Sequence, residues 1–72
     1  MTNSTIETVR KNVKKYRKQK GLTQLKLSIL SGVSKDYITA IELGKRTPSI
    51  KRLDLIANAL KIDIYKFFKE KE

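Results

Sequence analysis

The chain has 72 residues and a mass of 8.3 kDa, at the short end of single domains, so one small domain spanning 1–72 is expected. It contains no cysteine and no histidine, which removes disulfides, thiolate and imidazole catalysis and the usual zinc ligands; no enzyme, metal or cofactor is expected. Seventeen Lys and Arg against seven acids give a net charge of +10, which predicts a polyanionic partner, with nucleic acid ahead of an anionic membrane.

Ile6, Val9, Val13 and Tyr16 recur at steps of three, four and three. That stripe predicts a first helix over about 5–19, with Ser4 and Glu7 as its capping box and Gly21 as its stop. The seven basic side chains between Arg10 and Lys20 therefore belong to a helix rather than to a disordered arm. Residues 1–36 carry a net charge of +7 and residues 37–72 a net charge of +3, so the charge is concentrated toward the front of the chain.

Thr23 can cap a short second helix over 24–31, whose apolar residues Leu27 and Leu30 sit three apart. Gly32 breaks it. Ser34 can cap a third helix over 35–43, with Ile38 and Ile41 inward and Gly44 ending it by a left-handed backbone. Lys45 to Pro48 reads as a loop, since proline is tolerated only near a helix start. A fourth helix over 49–60 carries Ile50, Leu53, Ile56 or Ala57, and Leu60, and Asp63 can cap a last turn over 64–69 with Tyr65, Phe67 and Phe68.

Two short helices joined by one glycine-containing turn, with one helix before and two after, describe a helix-turn-helix inside an all-α, five-helix domain. Leu27, Ser28, Gly32, Val33, Ile38 and Ile41 occupy the positions the crossing requires. Ser28 is small where the second helix of the unit passes close, and Gly32 supplies the positive φ of the turn.

At these residues the chain resembles the Cro/lambda-repressor type of helix-turn-helix, the XRE family, over about residues 9–68. The matching residues are Arg17, Gly21-Leu22-Thr23-Gln24, Leu27, Gly32-Val33-Ser34, Tyr37-Ile38, Ile41-Glu42, Gly44-Lys45-Arg46, Pro48-Ser49 and Leu60. The resemblance implies a compact lambda-repressor-like fold with the third helix in the major groove of double-stranded DNA. It makes Lys35, Asp36, Tyr37, Thr39 and Ala40 the candidate readers of base edges, by hydrogen bonds or thymine-methyl contacts. Asp36 is the awkward member, because a carboxylate is repelled by phosphates, and stabilisation of the helix amino terminus suits it better.

Gln24 with the free amides of the second helix, and Lys45, Arg46 and Thr47 after the third, are expected to hold phosphates. The resemblance pairs Arg17 with Glu42 as a structural link between the first and third helices. Lys11, Lys14, Lys15 and Lys18 then serve long-range attraction, screened beyond ~8 Å at physiological salt.

The chain departs from the family pattern at Leu25-Lys26, where acidic residues are usual, and at Ser28, where alanine is usual. Leu25 and Ile29 lie four apart on a commonly polar face, where they pack against a neighbouring helix or serve a partner surface.

One recognition helix covers few base pairs, so a homodimer on a palindromic operator is expected, with Leu53, Ile62, Ile64, Tyr65 and Phe68 as its interface. No small-molecule ligand is expected. The chain looks most like the controller proteins of restriction-modification systems, from its length, the Tyr37-Ile38 and Ile41-Glu42 spacing and the Phe67-Phe68 ending. An antitoxin-type module that binds DNA with a partner protein is the alternative. No apolar run approaches the ~20 residues of a membrane span, and the polar start lacks a signal-peptide core; the expected location is the cytoplasm, in association with the nucleoid.

Overall fold

Val13, Leu27, Ile38, Ile56, Leu60 and Phe67 are fully shut off from solvent, so each of the predicted helical segments and the last turn contributes to one core. The computed structural model describes residues 4–70, with side chains from Thr5 onward. The elements are α1 (Ser4–Gln19), α2 (Gln24–Ser31), α3 (Lys35–Glu42), α4 (Ile50–Leu60) and a terminal 3-10 turn (Ile64–Phe68). Helix α1 packs on the 3-10 turn and on α3, while α2 packs on α3 and α4. The proposed Ser4 cap rests on a side chain outside the described residues.

The cap positions follow the side-chain chemistry of the sequence. Thr23 Oγ1 accepts the Lys26 amide at 3.0 Å, Ser34 Oγ the Tyr37 amide at 3.1 Å and Ser49 Oγ the Arg52 amide at 3.1 Å. Each fixes the start of one helix. Ser49 is thus the cap of α4, not its first residue, and Asp63 makes no side-chain capping bond to the last turn.

Gly32, at φ 78°, turns the chain between α2 and α3, a conformation that costs other residues roughly 1–2 kcal/mol. Gly44, at φ 76°, does a second job. A Cβ there would stand 3.0 Å from Arg10 Cδ, so its absence lets Arg10 lie over the end of α3 and donate from Nη1 to the Glu42 carbonyl at 3.2 Å. Arg10 is held from its other side by Glu7 at 2.6 Å, and this hydrogen bond keeps the Glu7 carboxyl below, and the Arg10 guanidinium above, their ordinary pKa values.

Four α-helices are present among the described residues, not five. The last segment is a five-residue 3-10 turn, too short to nucleate an α-helix alone, and its carbonyls are drawn away from a helical ladder. Asn12 Nδ2 donates to the carbonyls of Lys66, Phe67 and Lys69 at 3.3, 2.9 and 2.7 Å. Phe67 is thereby seated beside Tyr16, with ring centroids 6.3 Å apart. Asn12→Ala removes this buried donor, and a loss of roughly 1–3 kcal/mol is expected in a denaturant titration; stability equal to that of the parent would show that the turn is held by Phe67 alone.

One apolar position differs from expectation, and two others leave only one of their alternatives open. Leu30 is 55% exposed, because the inward position one turn after Leu27 falls to Ser31, whose hydroxyl accepts the Val33 amide at 3.1 Å. Leu25 and Ile29 are also exposed, so they do not pack against a neighbouring helix. Together with Leu30 they leave an apolar stripe on the outside of α2.

Candidate nucleic-acid interface

The inward turn of Ile38 and Ile41 forces the opposite face of α3 outward. Lys35 and Asp36 are exposed there and, among the described residues, bond to no other side chain. Thr39 and Ala40 follow one turn later, both half-buried. Asp36 stands in the first turn of α3, where its negative charge complements the helix dipole.

Arg17 and Glu42, the pair that the family resemblance implies, are in contact. Arg17 Nε donates to Glu42 Oε2 at 2.7 Å and Nη2 to Oε1 at 3.0 Å, while Nη1 donates to the Leu22 carbonyl at 2.7 Å. Both residues are buried, at 7% and 5% exposure. One side chain thus joins α1, the α1–α2 connection and the end of α3.

The Gln24 side chain, expected from the sequence to hold a phosphate, is partly engaged within the protein. Its Nε2 donates to Glu42 Oε1 at 2.9 Å, and its Oε1 accepts from the Thr39 hydroxyl at 2.6 Å. The first residue of α2 is therefore tied to two residues of α3 before any ligand arrives. One N–H of its amide remains available, beside the free amides of the first turn of α2.

Tyr37 is placed differently from a free base reader as well. Its ring is half-buried, and its hydroxyl accepts the Ser49 amide at 3.3 Å. The Arg46 and Arg52 guanidinium carbons lie 5.0 and 4.8 Å from the ring centroid, within the range of cation–π attraction. Tyr37 is a platform for two arginines. Sequence reasoning named Arg46 and missed Arg52; the signal was available only as two basic residues flanking Pro48-Ser49, without a means of bringing them to one ring. Lys45 and Thr47 are exposed in the same α3–α4 connection.

Of the basic run in α1, Arg10 and Arg17 are committed to holding α3, and Lys15 lies over Tyr16 at 5.1 Å. Lys11, Lys14 and Lys18 are exposed. Among the described residues no group of three acidic, histidine or cysteine side chains could hold a metal ion, and no helix is long and apolar enough to cross a membrane.

The candidate dimer residues divide. Leu53 is 2% exposed and belongs to the core of the protomer, so it is withdrawn from that set. Its side chain closes the floor of a small groove of about 100 Å³, where Ile50 and Phe68 stand at the surface. Ile62 and Ile64 are half-buried against the core, whereas Tyr65 and Phe68 are exposed.

The two-helix unit, its glycine turn and the outward face of α3 agree with a family profile described as helix-turn-helix, HTH_3, which matches residues 13–67. The chain belongs to this helix-turn-helix family. It is 43% identical over 53 residues to the uncharacterized HTH-type transcriptional regulator YqaE of Bacillus subtilis strain 168, covering 74% of this chain and 46% of that protein. It is 34% identical over 61 residues to the HTH-type transcriptional regulator SinR of Bacillus licheniformis, covering 83% and 55%. A solved HTH_3 family transcriptional regulator from Vibrio cholerae superposes with a TM-score of 0.86 at 32% identity, over 90% of this chain and 36% of that one. The chain spans about half the length of the curated relatives it matches. This helix-turn-helix chain thus shares its DNA-binding type of domain with transcriptional regulators.

Proposed function

We propose that the chain is a sequence-specific double-stranded DNA-binding regulator that binds a palindromic operator as a homodimer. The observation that carries this reading is the free amino-terminal face of α3, with Lys35 and Asp36 exposed, Thr39 and Ala40 behind them and the Tyr37-held arginines beside them. Lys35, Thr39 and Ala40 read base edges in the major groove; Asp36 stabilises the helix start or accepts from cytosine N4. Lys45, Arg46 and Thr47, joined by Arg52 and by the remaining N–H of Gln24, hold phosphates and fix the register.

Helix α3 has eight residues, ~12 Å of helix, enough for only a few base pairs. Two copies related by a dyad supply the missing specificity. Tyr65 and Phe68, flanked by Ile62 and Ile64, form the interface in this reading. A restriction-modification controller is its narrowest form, supported by the Tyr37-Ile38 and Ile41-Glu42 spacing noted above; such a regulator would be cytoplasmic and found with the nucleoid.

Selection of bound duplexes from a random DNA pool tests this function. A palindrome with half-sites one helical turn apart is expected, and no enriched sequence at moderate salt would overturn the reading. The exposed Leu25, Ile29 and Leu30 of α2 favour a second reading, an antitoxin-type module that binds DNA together with a partner protein. A DNA affinity that changes only when that partner is added separates the two.

A further inference from the structure

The hydrogen bonds running from Arg17 to Thr39 have only one possible direction. Both carboxylate oxygens of Glu42 face the Arg17 guanidinium, which has N–H groups and nothing else to offer. Glu42 Oε1 therefore takes hydrogens and gives none. Gln24, 2.9 Å away, must turn its NH2 toward that oxygen, since the opposite amide orientation would set oxygen against oxygen. Its carbonyl is then the atom 2.6 Å from Thr39 Oγ1. A carbonyl cannot donate, so the Thr39 hydroxyl does.

A threonine hydroxyl has one hydrogen and two lone pairs. With the hydrogen spent on Gln24, Thr39 has nothing to donate to a phosphate oxygen, to guanine O6 or N7, or to thymine O4. Its lone pairs still accept. The donors exposed in the major groove are the exocyclic amino groups of adenine and cytosine.

We propose that the Arg17–Glu42–Gln24 chain makes Thr39 an acceptor-only reader, so that its hydroxyl selects adenine or cytosine at the base it reaches and has no hydrogen for the acceptors of guanine and thymine. This rests on the DNA-binding function proposed above and narrows it to one residue and one chemical polarity. Gln24 is a positioning residue: it acts on the base through Thr39. A free threonine would serve either class of base edge, and the buried pair behind it removes that ambiguity.

Two measurements test the proposal. In the free wild-type protein, NMR is expected to show a Thr39 hydroxyl proton protected from exchange, and Gln24→Ala is expected to lose that protection. On the selected operator, single-base replacements are expected to reveal one position per half-site where adenine or cytosine is preferred roughly five- to tenfold, the worth of one neutral hydrogen bond. Thr39→Val, which keeps the shape and removes the lone pairs, is expected to abolish that preference and leave the other positions unchanged.

A rapidly exchanging hydroxyl proton in the wild-type protein overturns the proposal whether or not the valine variant folds. So does a preference for guanine or thymine that Thr39→Val abolishes, or a base profile that Thr39→Val leaves intact. A pool that yields no enriched sequence overturns the regulator function itself, and the reader with it. An enriched operator indifferent to Thr39→Val overturns the reader alone.

Discussion

Arg17→Ala is expected to unfold much of the protein at room temperature in the absence of any DNA. The guanidinium it removes is buried, bidentate to Glu42 and bonded to the Leu22 carbonyl. What remains is a buried carboxylate with Gln24 as its only side-chain donor among the described residues. Breaking a buried pair from one side typically costs about 3–5 kcal/mol, because the surviving charge cannot regain its water. A single core in a chain this small supplies about the same amount. Thermal denaturation followed by circular dichroism measures the loss. The double change Arg17→Met with Glu42→Leu is expected to recover most of it, since neither residue then leaves a charge inside. A melting curve for Arg17→Ala equal to that of the parent would show that the buried pair does not hold the fold together.

Arg46→Ala with Arg52→Ala is the change expected to cost most in DNA affinity while leaving the fold intact. Both guanidinium groups lie on one face of the molecule around Tyr37, and neither belongs to the buried network. Each phosphate contact contributes about 0.9 to the slope of log affinity against log salt, so the double variant should lose about two units of slope per bound protomer. The loss should be equal for operator and random duplexes, because phosphate contacts carry no sequence information. Filter binding or fluorescence anisotropy over a salt series reads both quantities. A loss confined to operator DNA would make one of these arginines a base reader.

Most of the fold was legible because it is written in local chemistry. Thr23, Ser34 and Ser49 are side chains that cap, Gly32 and Gly44 are residues that adopt positive φ, and Val9, Val13, Ile38, Ile41, Ile56 and Leu60 recur at helical spacing. The pairing of Arg17 with Glu42 was accessible through family resemblance. What escaped was decided by partners far along the chain. Asn12 reads as one more polar residue in a basic helix, yet it bonds to carbonyls more than fifty positions away. Without that bond, nothing in Ile64 to Phe68 distinguishes a 3-10 turn from a fifth helix.

The site was legible to a similar depth. Composition and the two-helix pattern located the exposed face of α3, and the basic connection after it was visible as Lys45-Arg46. The competition for each polar group was not. Gln24 and Tyr37 both look available in the sequence, and both are occupied in the fold, one by Glu42 and Thr39 and the other by the Ser49 amide. Periodicity reports which face a side chain occupies. It does not report whether another residue has already taken its hydrogen.

Lys35 and Asp36 share the outward turn of α3 without a bond to any other side chain among the described residues. They are therefore the positions at which the molecule can diverge at little cost to itself. A descendant that must follow a drifting operator can exchange them one at a time and keep its core, its caps and its buried pair. Thr39 has less freedom, since its hydroxyl is already bonded to Gln24. Evolvability in this domain is thus concentrated in the first turn of one helix, while the next turn is inherited with the scaffold.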